Sequence, residues 1–419
     1  MIHDCVLFTI LSFQIENISS LQSLGHYTKI GLDLPIWDDP ERHHTMGKQF
    51  SSWAWSKIPQ DFVYDAIKAG VKTYVYGAYP EHLELLAQAQ GFVIEQVSDF
   101  SSTSQKSLNF VRPRFALVSK NRKKFLVVAV TPGKDYVRHY AGILYYCLRM
   151  FHRRNVPDAF CNAHYEDTLA SWTELSRISC FKNSIVVLGF VHRAQRALID
   201  AGAELVTQED TPYYSVAQCV LEGCVPVTLL GVKYSFWGDI SQRIAYAVCE
   251  LGAREIVYLG KLGSLLSKSD VYQKLYSPTN YAILEYTKIS QELSNFPNPM
   301  VKKFPELATG RHVSISTIVE QDCSLRFLTE VIGAQSIDSE VSKIAQAVAR
   351  YNDQNSADVA FSPLHFVASY LRTSHELRVP VKYDLSNNRD IHSVRARRSI
   401  QDQQMSYFVR YCRDQKLKL

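Results

Sequence analysis

Residues 225–265 read VPVTLLGVKYSFWGDISQRIAYAVCELGAREIVYLGKLGSL. The run VPVTLLGV (225–232) is apolar and rich in valine and leucine, which predicts a buried strand. DISQRIAYAVCELGA carries its apolar residues at helical spacing, and Gly252 closes it, so a helix is expected there. REIVYLGKLGSL returns as a strand that runs into a glycine-containing turn. Strand, helix and strand in succession make a β-α-β unit, whose crossover favours parallel strands.

The same grammar spreads outward from this stretch. SIVVLGF (184–190), the helix HRAQRALIDAGA and ELVTQ form a second unit. A third lies at 71–97, where VKTYVYGAY is a buried strand, Pro80 fits the first turn of a helix to Gln90, Gly91 ends it, and FVIEQV follows. Between these two, residues 123–154 give a buried strand, a Thr131-Pro132-Gly133 turn and a long helix. Beyond 265, NYAIL and HVSISTIV read as strands, CSLRFLTEVIG as a helix, AQSIDSE as a strand or its end, VSKIAQAVARYN as a helix and DVAFSPLHFV as the last strand. The alternation predicts an α/β fold: a three-layer sandwich around a largely parallel, twisted sheet, with an N-terminal β-α-β extension. A Ser/Thr-rich stretch (SDFSSTSQKS) and a basic cluster (KNRKK) within 98–124 suggest a linker, with a boundary near 122.

Composition bounds the class. Apolar residues are 46% and charged residues 21% of the 419, which allows a large core. The formal net charge is +5, and residues 389–419 alone hold eight Lys or Arg against three Asp. That basic tail reads as a solvated helix or a subunit contact; the alternative is nucleic-acid binding, with Arg395, Arg397 and Arg398 on phosphates and Tyr407, Phe408 and Tyr411 stacking. Nine cysteines, an odd number with no C-x-x-C, fit reduced thiols in a cytoplasmic protein better than disulfides or zinc. Residues 1–13 are apolar but lack a basic start, and no apolar run reaches the ~18–20 residues of a membrane span. His43–His44 follows an Asp-Pro turn and reads as an exposed loop rather than a metal site. No P-loop, dinucleotide fingerprint, nucleophile elbow or H-E-x-x-H occurs.

The stretch 225–370 resembles the nucleoside phosphorylase and nucleosidase superfamily, the purine and uridine phosphorylase-like proteins. There a strand ending in Gly precedes a helix and a GAxxIIxxGxxGxL segment; here these read LLG, ending at Gly231, and GAREIVYLGKLGSL. The family's later V-x-M-E segment carries a Glu that holds the ribose hydroxyls; here it is SIDSE, with Ser339 in place of Met and Glu340 in place of that Glu. A wider match runs over 123–375. The resemblance implies cleavage of an N-glycosidic bond in a nucleoside or nucleotide, by hydrolysis or phosphorolysis, without a cofactor or metal, in a homo-oligomer. A carboxylate beside the sugar suits that reaction, because positive charge builds on the sugar in the transition state.

Carried over residue by residue, the resemblance implies substrate contacts from Gly231, Gly263, Ser264 and Ser362, and a catalytic role for Glu340. It also exposes departures. Tyr258 stands where phosphorolytic members place an Arg, so inorganic phosphate lacks its clamp and water is the better nucleophile; Lys261 supplies a point charge for phosphate or a nucleotide. Pro363 stands where a base-protonating Asp is expected, and His365 two residues on is either the replacement acid or a core histidine. Asp338 either shares acid–base work with Glu340 or caps the helix near Val341. Tyr234, with Phe236 and Trp237, either walls a base pocket or packs in the core. The second functional class is a binding or scaffold protein that keeps the fold without turnover; a third reading is a different reaction on a nucleoside-like compound. The expected division is an extension at 1–122, a nucleoside phosphorylase-like domain at 123–385 and the basic tail at 386–419.

Overall fold

The apolar strand read at 123–130 lies in the middle of a sheet, flanked on both sides. The computed structural model describes residues 27–32, 40–99, 108, 112–150, 156–162, 175, 178–285, 288–378 and 391–417. The chain divides into two compact units: residues 1–33, 52–105 and 111–172 form the first, and 34–51, 106–110 and 173–419 the second.

In the first unit the described strands are β1 (Tyr27–Ile30), β2 (Lys72–Gly77), β3 (Val93–Asp99), β4 (Arg114–Lys120), β5 (Lys123–Val130) and β6 (Asp158–Asn162). They pair in the order β1-β6-β2-β5-β4-β3. The β-α-β unit of 71–97 is present: β3 runs parallel to β2, with β5 and β4 between them. Leu83 and Leu86 of the connecting helix pack on Val118, Val127 and Ala129. The expected boundary at 122 is corrected. Asn121 and Arg122 both have positive φ, 53° and 64°, and form the two-residue tip of the β4–β5 hairpin. That tip is a type I′ geometry, which Asn favours. The basic cluster that suggested a linker is a hairpin turn, and β5 belongs to the first unit.

The second unit holds β7 (Ile185–Gly189), β8 (Glu204–Asp210), β9 (Tyr214–Val220), β10 (Val227–Val232), β11 (Glu255–Ser264), β12 (Leu275–Glu285), β13 (Lys288–Leu293), β14 (Ala308–Ile315), β15 (Ala334–Asp338) and β16 (Ala360–Tyr370). The order is β13-β12-β14-β15-β11-β7-β10-β9-β8, and β16 pairs with both β11 and β12. The strands β11, β16, β12, β14 and β15 therefore close into a ring. β10, β7, β11 and β16 run parallel, as do β12, β14 and β15; β8–β9–β10, β11–β15, β12–β16 and β12–β13 are antiparallel. The pairing is mixed rather than largely parallel, because hairpin partners extend both edges. Edge strand β8 is exposed along its length, as an antiparallel strand can be and a buried parallel one cannot.

The basic tail is also corrected. Ile391–Asp414 is a helix. Ile400, Met405, Phe408, Tyr411 and Cys412 form its apolar stripe and share one core with Val257, Leu259, Leu364 and Phe366. Phe408 and Tyr411, offered above as stacking groups, are fully buried, while Arg395, Arg397 and Arg398 face solvent. Among the described residues no helix is long and apolar enough to cross a membrane.

His44 is not an exposed loop residue. It is fully buried and stacks on Phe50. Its Nδ1 accepts from Met46 N (3.1 Å), so its Nε2 carries the proton donated to Ile318 O (2.9 Å). That pattern needs the neutral ring. Burial pushes its pKa down to about 3, against the opposing Ile318 bond. A histidine depressed in the fold stabilises above its unfolded pKa and loses that contribution as pH falls. Between pH 7.5 and 5 the loss is expected to be about 2 kcal/mol. Urea unfolding of His44→Phe at both pH values should show a pH difference smaller than wild type by about that amount; an unchanged difference would refute the neutral-ring assignment.

Candidate active site

β14 and β15 place four polar side chains next to one another. The parallel register sets His312 beside Ser336 and Ser314 beside Asp338. Strand alternation sends all four to one face, while Val313, Ile315 and Ile337 go to the apolar core behind. Asp338 Oδ1 accepts from His312 Nε2 (2.8 Å), Ser314 Oγ (2.7 Å), Glu340 N (3.0 Å) and Val341 N (3.2 Å), and Oδ2 accepts from Val341 N (3.1 Å). His312 Nδ1 in turn meets Ser336 Oγ at 2.8 Å, and Ser314 Oγ accepts from Ser342 N at 2.8 Å. The open N–H groups at the start of helix Val341–Asn355 are thus satisfied from neighbouring strands as well as from Asp338. Burial alone would raise the Asp338 pKa; the charge and hydrogen bond of His312 and the Ser314 hydroxyl outweigh it and bring it down to about 2. Asp338 is a fixed anion with its lone pairs taken up by donors. Its bonds to Glu340 N and Val341 N are those of the capping alternative.

Glu340 lies just past the end of β15, so the two carboxyls do not share a strand face as i, i+2 neighbours. Its Oε2 accepts from Ser339 N at 3.0 Å. Burial first, and then the charge of Asp338, raise its pKa well above the usual carboxylate range; the Ser339 N–H and the charge of Lys261 act the other way. Of two adjacent carboxyls, the one with more hydrogen-bond donors holds its charge the more readily. Lys261 is exposed on β11, within electrostatic reach of Glu340.

His365, on β16, completes the cluster. It is fully buried, and its ring meets Tyr258 edge-on at 4.7 Å. Its strand partner is Gly260, where a Cβ would lie 2.5 Å from His365 Nε2, so only glycine leaves room for the ring. Among the described residues neither ring nitrogen has a hydrogen-bond partner. Burial lowers its pKa to about 3, opposed by Asp338 and assisted by His312. The ring is a neutral donor–acceptor with both nitrogens unused, not an imidazolium acid at neutral pH. Tyr258 also meets Phe236 at a T-shaped angle (5.8 Å), and Gly238 N donates to Ser339 O at 3.0 Å, which brings the loop after β10 to the same place.

Five of the expected contacts lie elsewhere or are used differently. Ser362 points to the opposite face from His365, an odd number of residues away on one strand; its Oγ accepts from Met300 N in the core. Ser264 Oγ donates to Asp270 (3.0 Å) and accepts from Leu266 N and Ser267 N, closing a turn. Gly263 is a packing position at a register shift, where a Cβ would meet Leu371, Ser369 and Ile337. Gly231 makes room for Leu108, whose methyl carbons would lie 2.8 and 2.9 Å from a Cβ. The Tyr234 hydroxyl bonds that of Tyr214, and the two rings pack edge to face in the core. His312, Ser314 and Ser336 were not singled out from the sequence. Their signal was present: HVSIS and AQSID alternate polar and apolar residues, which puts polar groups on one face of strands with apolar neighbours. Among the described residues no group of three or more His, Cys, Asp or Glu could hold a metal ion.

No family model matches the chain. Over 367 residues it is 29% identical to a protein named Oxidoreductase cns1 from Cordyceps militaris. The match takes in 84% of this chain and 46% of that protein, so the chain spans about half the length of this curated relative. Among solved structures, a 5'-methylthioadenosine/S-adenosylhomocysteine nucleosidase from Helicobacter pylori has 12% identity and a TM-score of 0.38, covering 56% of this chain and 98% of its own. A uridine phosphorylase from Vibrio fischeri has 13% identity and a TM-score of 0.41, covering 55% and 90%. A futalosine hydrolase mutant from Helicobacter pylori has 11% and 0.39, covering 55% and 98%.

Two outcomes test this geometry. Gly260→Ala should destabilise the protein by roughly 1–3 kcal/mol through the clash with His365. Adding His365→Ala should recover part of that, so chemical denaturation of the four-member cycle should be clearly non-additive; additive losses would separate the two residues. Asp338→Asn should lose roughly 3–5 kcal/mol near neutral pH, because a buried partner of several donors is removed. Its deficit against wild type should shrink as pH falls from 3.8 through about 2, where the wild-type carboxyl takes up its own proton.

Proposed function

We propose that the second unit binds a nucleoside- or nucleotide-like compound at Glu340 and cleaves its N-glycosidic bond, with water as the nucleophile. The observation that carries this is a pair of adjacent carboxyls held differently: Asp338 accepts from His312, Ser314 and two backbone N–H groups, whereas Glu340, whose pKa burial raises, accepts from Ser339 N, and the His365 ring, unpartnered among the described residues, lies within electrostatic reach of Asp338. A protonated or proton-sharing carboxyl can both donate to and accept from the vicinal hydroxyls of a sugar. The standing charge on Asp338 stabilises positive charge that develops on that sugar. The neutral His365 ring gives the leaving base one donor and one acceptor without being asked for a proton it lacks. The motif resemblance over 225–370 supports the same reading independently. Tyr258, where phosphorolytic members carry an Arg, favours water over phosphate, and Lys261 suits an anionic substituent on the substrate.

A second reading, binding without turnover, is favoured by Pro363 in the position of the family's proton donor. The relative's name suggests oxidoreduction, but it belongs to a chain about twice as long; nicotinamide-dependent absorbance change with nucleoside substrates would reveal it.

The test is chromatography of free base released from a panel of nucleosides and nucleotides, with and without phosphate. Release is expected without phosphate, and Glu340→Ala should lower kcat/KM by about 10²-fold or more while the fold persists. Wild-type release by that variant would overturn the assignment, and tight binding with no release would establish the binding protein instead.

A further inference from the structure

We propose that Gln404, on the C-terminal helix Ile391–Asp414, is a positioning residue that holds the Gly260–His365 rung from the reverse side of the sheet. This rests on His365 being the group that meets the substrate.

Gln404 is fully buried in a mostly apolar helix stripe, among Ile400, Met405 and Phe408, with Gln401 the other buried amide of the helix. An amide in such a place is costly unless its hydrogen bonds return the loss. Its Nε2 donates to Gly260 O on β11 (3.0 Å) and to Leu364 O on β16 (2.6 Å), while Oε1 has no partner among the described residues. The amide is therefore only half satisfied, and a Leu or Met there would complete an ordinary core. What the polar group does contribute is specific. It ties together two strands at the one rung where a histidine packs directly on a glycine Cα. Gly260 is the residue whose missing side chain admits the ring, and Leu364 precedes His365 in the chain.

Among the described residues the ring has no hydrogen bond to hold it, so its place depends on the backbone beneath it and on Tyr258. A small change in separation between β11 and β16 at this level passes directly to Nε2. The helix that carries Gln404 is anchored beyond it. Tyr411 OH donates to both oxygens of the buried Glu255 (2.8 and 2.7 Å) at the start of the same β11. Val225 N donates to Gln415 O (2.7 Å), and Lys416 forms a bridge with Cys224. Gln404 is thus presented by a helix secured to β11 at a second point and to the segment before β10.

Gln404→Met preserves length and removes the donor. A purely structural amide predicts a variant as stable as wild type or more so, and an unaltered site. A positioning amide predicts a site that changes although the fold does not. The direct readout is the ring ¹⁵N and ¹H resonances of His365 in the full-length, histidine-labelled protein, assigned by their loss in His365→Gln. Gln404→Met should move them, with a melting temperature within about 4 °C of wild type. In a release assay it should lower kcat about tenfold with KM nearly constant. Met405→Leu, on the same helix without a bond to the rung, should change neither. His365 resonances that superimpose on wild type would overturn the proposal. If Gln404→Met does not fold, Gln404→Asn, which keeps the amide but falls one methylene short, should show the same displacement, and superimposed resonances in that variant would overturn it equally. Should wild type release no base from any nucleoside, the N-glycosidic reading fails, while the ring resonances still decide the role of Gln404.

Discussion

The carboxylate of Asp338 is the constraint around which the second unit is arranged. It terminates β15, receives side chains from β14, and satisfies N–H groups at the start of the helix Val341–Asn355. A buried charge in this position is tolerable only with close to a full set of donors, and each donor fixes an element. Through the Glu340 N–H the same group sets where the second carboxyl begins. After burial, its charge is the next cause that raises the Glu340 pKa.

Ring closure does the remaining work. β11, β16, β12, β14 and β15 would lie far apart in an open sheet that followed chain order. Because β16 pairs with both β11 and β12, residues from 258 to 365 meet on one face. The small residues Gly260, Ser314 and Ser336 sit on that face, which leaves room for His312 and His365 between strands. The opposite face of the same strands carries Val257, Leu259, Leu364 and Phe366 against the C-terminal helix. The site and the core are thus two sides of the same strands, and a substitution on one side is felt on the other.

What was legible in the sequence follows from this division. Strands such as VPVTLLGV and DVAFSPLHF, and helices such as VSKIAQAVARYN, announce themselves by local periodicity, and nearly every one appears within a few residues of its reading. Glu340 and His365 were singled out by a family motif and by strand spacing, and both come to lie around Asp338. Pairing was not legible. No local signal says that β16 bonds to β12, or that β8 and β13 are hairpin edges, since those are decided by tertiary closure. Ser362 went to the wrong face because the strand register relative to the site was unknown, and a parity error of one residue reverses a side chain. Gly263 and Ser264 were read as an anion loop, whereas Ser264 already spends its hydroxyl on Asp270. The tail at 386–419 was judged by its charges, although the spacing of Ile400, Gln404, Phe408 and Tyr411 marks a helix with a buried stripe.

The electrostatics also bear on the choice between water and phosphate. Phosphorolysis requires a multiply charged anion to approach the sugar from beside the carboxyl pair. A unit negative charge at about 6 Å from an uncompensated carboxylate would be repelled by roughly 3 kcal/mol at an effective dielectric near 20, and any charge on His312 beside Asp338 reduces this. An Arg clamp at position 258 would offset this, but a buried Tyr258 offers no charge: burial raises its pKa, and the charge of Asp338 acts the same way. Lys261 is exposed, so its attraction is screened and weaker than that of a buried bidentate group. Water meets none of these penalties. A carboxylate that would oppose phosphate would also favour a sugar acquiring positive charge, which is why the proposed reaction uses water.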